Sequence, residues 1–293
     1  GGRALGNLPK YYWSNLRPIT QGKNISFGMT RTSLAENPFS DWNMVIIGYS
    51  TGDMHVGNGE LQYKGKEGED KTLYFNGYNN FRAAMNRIVE IFKDPEELLI
   101  CGDSAGAFAT PALAMPILKE YYTSCPRVTC FSDSALLINP HWKETIRDCW
   151  NAEPFAYDPI STDNNTIDWY RRLYETFGDS INYLYAGSPR DHVLARYYMD
   201  MCERDVTLKQ SIAYFQMRMA KMAKELKAIT PKFGLFQYSF IDSPMEKGTA
   251  HTICRTPRFY KPDAGTGVAM SKWLGDAVNG NIYDVGSFEN PII

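Results

Sequence analysis

Residues 96–108 read EELLICGDSAGAF. Leu98, Leu99, Ile100 and Cys101 form a short apolar run bounded by charge on one side and glycine on the other, the pattern of a strand buried in a parallel sheet. Gly102-Asp103-Ser104-Ala105-Gly106 then fits G-x-S-x-G, in which a serine occupies a tight turn between a strand and a helix. The glycines keep Cβ atoms out of a close backbone approach, and the serine is held in a strained conformation. Residues 105–121 carry alanine, leucine and methionine at helical spacing, and Pro111 and Pro116 inside that run predict a kink or a helix in two pieces. The pentapeptide alone is a weak signal, since an inert serine in a tight turn also fits it.

Working outward, 43–49 (NMVIIGY) reads as a strand that ends in a turn-rich stretch over 50–59. In 78–92, Phe81, Ala84, Met85, Ile88 and Ile91 fall on one helical face. Strand, helix, strand and helix make a βαβ unit and hence a parallel sheet. Downstream, 127–131 supplies a strand ending at Ser132-Asp133-Ser134. Residues 139–178 are rich in Trp, Pro, Asp and Asn and carry a helix over 167–176, which reads as a cap-like insert. Residues 181–185 form a further strand that runs into Gly187-Ser188-Pro189-Arg190-Asp191-His192, 206–229 a long helix, and 234–241 the last strand. Residues 1–38, broken by glycine, proline and asparagine, read as a long loop walling an active site. The fold class is therefore α/β, α/β-hydrolase-like: a mainly parallel sheet flanked by helices with a cap-like insert at about 139–178, in a single domain over 1–293.

Composition narrows the function. A formal charge of −2 with no long basic run argues against a nucleic-acid partner. Aromatic residues make up 14%, with 19 tyrosines, which suits a carbohydrate-stacking groove and equally an ordinary core. Six cysteines are too sparse for a disulfide scaffold and lack a zinc spacing, although Cys125 could bridge Cys130 or Cys149 in an oxidising compartment. No apolar run is long enough to span a membrane, and no metal or cofactor is implied.

In an α/β-hydrolase the serine is followed in the chain by an acid and then a histidine, each after a later strand. His251 follows the last strand, where that order needs the base; His55, His141 and His192 are the other histidines. Asp191, after the 181–185 strand, leads as the acid, with Asp133 and Asp242 as rivals. Asp133 reads equally as an N-cap or a buried structural carboxylate. Ser104 would attack an ester carbonyl, His251 would take its proton and Asp191 would hold the imidazole. The Ala105 backbone N–H would meet the oxyanion, and Gly1-Gly2-Arg3 is the glycine-bearing stretch upstream that could supply a second donor.

Asn37-Pro38-Phe39 with Asp41-Trp42-Asn43, then Tyr49-Ser50-Thr51-Gly52-Asp53-Met54-His55-Val56-Gly57, then the serine turn and Asp133-Ser134, together resemble the pectin acetylesterase/Notum family of α/β-hydrolase-fold carboxylesterases. The resemblance implies a metal-free Ser104, Asp191 and His251 triad, an oxyanion hole from Gly2, Arg3 and Ala105, secretion, and strands with an export signal preceding Gly1. Ser50 stands where family members usually carry a cysteine, and the family's tryptophan is not found beside Arg3. The resemblance leaves the ester open between acetyl and longer acyl groups, and the many aromatic residues and polar loops point to an O-acetylated polysaccharide as the substrate. A longer-chain acyl ester, a non-catalytic carbohydrate-binding relative and a peptidase on the same fold are the alternatives.

Overall fold

The computed structural model describes residues 27–65, 67–202 and 206–289. Four parallel strands lie side by side in chain order: β3 (Glu97–Asp103), β4 (Arg127–Asp133), β5 (Ile181–Gly187) and β6 (Gly234–Gln237). An antiparallel hairpin precedes them, β1 (Gly59–Lys64) against β2 (Asp70–Phe75). Ile100 lies opposite Cys130 and Phe131 opposite Leu184, so the apolar runs are in register across the sheet.

Alternation along the strands divides the core into two layers. Cys130, Tyr183 and Tyr185 face a cluster built from α1 (Gly77–Ile91), α2 (Ala105–Pro116), α3 (Asn165–Phe177) and α5 (Leu208–Ile229). Phe131, Leu184, Ala186 and Phe236 face the other way, onto Trp273, Leu274 and Ala277 of α6 (Met270–Val278) and onto Met29, Phe39 and Phe259. Between β5 and α5 runs α4 (His192–Cys202), which the sequence pattern did not suggest. Thr207 starts α5 with a reciprocal capping box to Gln210, which satisfies two N–H groups of the first turn.

The helix after the serine turn is not broken at Pro111. A proline there removes the bond that the Ala107 carbonyl would receive, and the Ser132 hydroxyl of β4 donates to that carbonyl instead, at 2.8 Å. Tyr170 of α3 donates in turn to Ser132 Oγ at 2.7 Å. The expected change comes after Pro116, where the chain widens into a π-helical turn over Ile117–Tyr121.

Several expectations need correcting. Residues 43–49 are not a strand: they pair with nothing among the described residues, and Val45 is 47% exposed. An apolar run becomes a strand only where neighbours take up its N–H and C=O groups. The predicted first βαβ unit is therefore replaced by the β1/β2 hairpin leading into α1. The 234–241 strand ends at Gln237, and Ile241–Ser243 (β7) turns away to pair antiparallel with Gly248–Thr249 (β8). Cys125, Cys130 and Cys149 carry free thiols, so neither suggested bridge of Cys125 is formed; Cys130 is wholly buried in β4. Within the insert, 139–164 folds into short turns sealed by Trp142 and Trp150, while α3 is a helix of the sheet's flanking layer, tied through Tyr170 to Leu184.

Candidate active site

Ser104 joins β3 to α2 with φ +52° and ψ −122°, a conformation that costs a non-glycine residue on the order of 1–3 kcal/mol. A Cβ on Gly102 would lie 2.3 Å from the Gly106 carbonyl, so the turn excludes any side chain there. A Cβ on Gly106 would meet nothing within 4 Å, so only the first glycine of the pentapeptide is demanded by this close approach. The Ser104 N–H donates to the Asp133 carbonyl at 3.0 Å, which ties the turn to the neighbouring strand end.

His251 arrives from the irregular segment after β8, and its Nε2 lies 2.8 Å from Ser104 Oγ. Its Nδ1 lies 2.6 Å from Asp191 Oδ2. A carboxylate at Nδ1 requires the proton on that nitrogen, which leaves the Nε2 lone pair facing the serine hydroxyl. Burial disfavours the charged ring, but the charge and hydrogen bond of Asp191, with Asp133 and Asp103 further off, outweigh it and hold the His251 pKa above the usual histidine value.

Asp191 is itself held. It precedes α4, and its Oδ1 accepts the Val193 and Leu194 N–H groups at 3.0 and 2.9 Å, an N-cap arrangement that leaves Oδ2 for the histidine. The β7/β8 hairpin is laced to the same loop: Arg190 donates to the Lys247 and Glu246 carbonyls at 2.7 and 3.2 Å, and Thr249 N–H donates to the Arg190 carbonyl at 3.0 Å. His192 Nδ1 lies 3.0 Å from the Thr249 carbonyl.

The rival acids stand elsewhere. Asp133 is fully buried and takes hydrogen bonds from Tyr238, Ile253 and Cys254, with burial pushing its carboxyl pKa up against those donors. Asp242 pairs at the surface with Arg258 at 2.6 Å. Ala105 opens α2 directly after the serine, while Gly2 and Arg3 lie outside the described residues. His55 is buried beside Tyr49, its pKa lowered to about 4 by burial. The sequence pattern also missed Arg255, whose guanidinium pairs with Asp103 at 2.7 Å and bridges the serine turn to the histidine segment. Its only sequence signal was its place four residues after His251. Among the described residues no three His, Cys, Asp or Glu side chains gather as metal ligands would, and no helix is long and apolar enough to cross a membrane.

Residues 19–152 match the model of the Pectinacetylesterase family. The chain resembles the pectin acetylesterases. That match holds Ser104 and stops before Asp191 and His251. Pectin acetylesterase 4 of Arabidopsis thaliana is 25% identical over 115 residues, which is 39% of this pectin acetylesterase-like chain and 27% of the relative. The similarity thus spans about a quarter of that relative's length. Among solved structures, the Wnt deacylase Notum from Drosophila has the same fold in two crystal forms. One superposes with a TM-score of 0.57 at 17% identity, covering 86% of this chain and 73% of Notum. The other gives 0.52 at 16% identity, covering 79% and 66%. The parallel sheet flanked by helices is accordingly an α/β-hydrolase-type fold.

Proposed function

We propose that this pectin acetylesterase-like chain is a serine carboxylesterase in which Ser104 is the nucleophile, His251 the general base and Asp191 the acid that orients it. The observation that carries the reading is the unbroken line of contacts from Asp191 through both nitrogens of His251 to Ser104 Oγ, at 2.6 and 2.8 Å, on a serine with a strained backbone. Ser104 Oγ attacks the ester carbonyl as His251 Nε2 takes its proton. The tetrahedral oxyanion collapses, the alcohol leaves with that proton, and water repeats the sequence on the acyl-enzyme. The Ala105 N–H, at the positive end of α2, is one oxyanion donor, and Gly2 and Arg3 are the proposed others.

The substrate we favour is an O-acetylated polysaccharide, from the family resemblance and the many aromatic residues, acting outside the cell after export. The likeness to a protein called a Wnt deacylase keeps a longer-chain acyl ester as the second reading. The first test is a fluorophosphonate probe with peptide mapping: a label on Ser104, lost in Ser104→Ala together with ester turnover, is the expected result, and turnover that survives the substitution overturns it. Comparing p-nitrophenyl acetate with the octanoate then decides chain length, a clear preference for octanoate sinking the acetyl reading.

A further inference from the structure

Asp133 touches both partners of the proposed reaction while taking no part in it. It ends β4 directly opposite Asp103 in the register, so its main chain lies beside the serine turn. Its carbonyl accepts the Ser104 N–H at 3.0 Å. Its carboxylate points the other way, into the segment that delivers the histidine: Oδ2 accepts the N–H groups of Ile253 and Cys254 at 2.8 and 2.9 Å. The next N–H back, that of Thr252, donates to Ser134 Oγ at 3.3 Å. Oδ1 takes the Tyr238 hydroxyl at 2.7 Å, and the Ser134 hydroxyl lies 3.2 Å from it. Three consecutive N–H groups following His251 thus converge on two adjacent side chains.

Both ends of the convergence include a residue in the left-handed region, Thr252 at φ +57° and Ser134 at φ +70°, uncommon for residues other than glycine. The segment around His251 belongs to no helix or strand, so it lacks a ladder to fix its position. Asp133 and Ser134 are 0% and 1% exposed, so bulk solvent does not reach these contacts. The Asp103–Arg255 pair spans the same gap, but Arg255 is one-third exposed, and a partly solvated ion pair holds weakly.

We propose that Asp133, with Ser134, is the positioning residue that sets the reach of His251 Nε2 to Ser104 Oγ: one residue fixes the nucleophile through its carbonyl and the base through its carboxylate. The proposal rests on the reading of Ser104 and His251 as nucleophile and base. Its consequence is specific to the chemical step. A displacement of about 1 Å at the reacting groups costs about 100-fold in rate without weakening substrate binding.

The test is kcat and KM on p-nitrophenyl acetate, with the rate of fluorophosphonate labelling, for the wild type, Asp133→Ala, Asp133→Asn, Ser134→Ala and Ser104→Ala, each checked for folding by circular dichroism. Asp133→Ala is expected to lower kcat and labelling by about 100-fold with KM nearly unchanged. Asparagine keeps an oxygen for the 253 and 254 N–H groups and an amide for the hydroxyls, so Asp133→Asn should recover kcat to within about tenfold of the wild type. Ser134→Ala, which frees one N–H instead of two, should lose about tenfold in kcat. A folded Asp133→Ala enzyme with wild-type kcat overturns the proposal, as does an asparagine variant no better than alanine. If Asp133→Ala does not fold, Ser134→Ala at wild-type kcat overturns it. Turnover that survives Ser104→Ala sinks the nucleophile reading itself, whatever the Asp133 series shows.

Discussion

Replacing Asp191 by asparagine removes a charge and keeps the side chain's shape, yet its surroundings dictate which way the new amide faces. Oδ1 accepts two backbone N–H groups, from Val193 and Leu194 at 3.0 and 2.9 Å. An NH2 group cannot sit there, because three donors would face one another. The amide oxygen must therefore stay on the start of α4, and the NH2 must take the place of Oδ2, 2.6 Å from His251 Nδ1. That nitrogen then has to accept, the proton moves to Nε2, and the ring presents an N–H to Ser104 Oγ where it needs a lone pair. The loss expected from a wrong tautomer is about 10⁴-fold in kcat, or about 5.5 kcal/mol of transition-state stabilisation. Stability should barely change, since the helix cap survives. The assay is p-nitrophenyl acetate hydrolysis at a pH above the raised His251 pKa, alongside thermal unfolding of both proteins. A variant within about tenfold of the wild type would refute this account of Asp191, because no orientation of the amide satisfies both neighbours and keeps Nε2 unprotonated.

Other outcomes follow from the same geometry. Gly102→Ala drives a Cβ to 2.3 Å from the Gly106 carbonyl and should cost about 3 kcal/mol in urea unfolding; Gly106→Ala, into open space, should be neutral or mildly stabilising, and equal midpoints for the two would contradict the steric reading. For His55, with its folded pKa near 4 against 6.5 when unfolded, the unfolded chain binds the proton first, so acid weakens the fold through that window by on the order of 3 kcal/mol. Asp53, raised by burial, acts in the opposite sense, and comparing pH-dependent melting of the wild type with His55→Asn isolates the histidine; superimposable curves would dismiss it. Asp242→Ala breaks a part-exposed pair with Arg258 and should leave kcat within about twofold and stability within about 1 kcal/mol, whereas a collapse in kcat would reinstate Asp242 as the acid.

Much of this arrangement was legible because it rests on local pattern. The run 98–101 is apolar on both faces and ends on glycine, so the strand and the turn after it announce themselves. Chain order anticipated that Ser104, Asp191 and His251 would meet, and they lie within hydrogen-bonding distance. What escaped depends on partners distant in sequence. Residues 43–49 look as strand-like as 127–131, and only the presence of a neighbour separates them. In the hairpin β1 alternates only half-buried and exposed residues and β2 does not alternate, and both carry charge, so a period of two is faint. Asp133 was readable as a buried carboxylate, but three of its donors, Tyr238, Ile253 and Cys254, lie 105 to 121 positions away, and no local pattern points to them. The same holds for Ser132, whose bond to Ala107 explains why a helix tolerates Pro111.

The separation of 147 positions between Ser104 and His251 also has a meaning in time. At about 5–20 residues per second of synthesis, roughly 7–30 s pass between the emergence of the serine and that of its histidine. Throughout that interval the serine is an alcohol without its base. Its reactivity then waits on one short irregular segment finding the end of β4. On the proposed triad, a nascent chain that has not yet released His251 is chemically silent, and it also lacks α6, whose Trp273 and Leu274 complete the core on one face of the sheet.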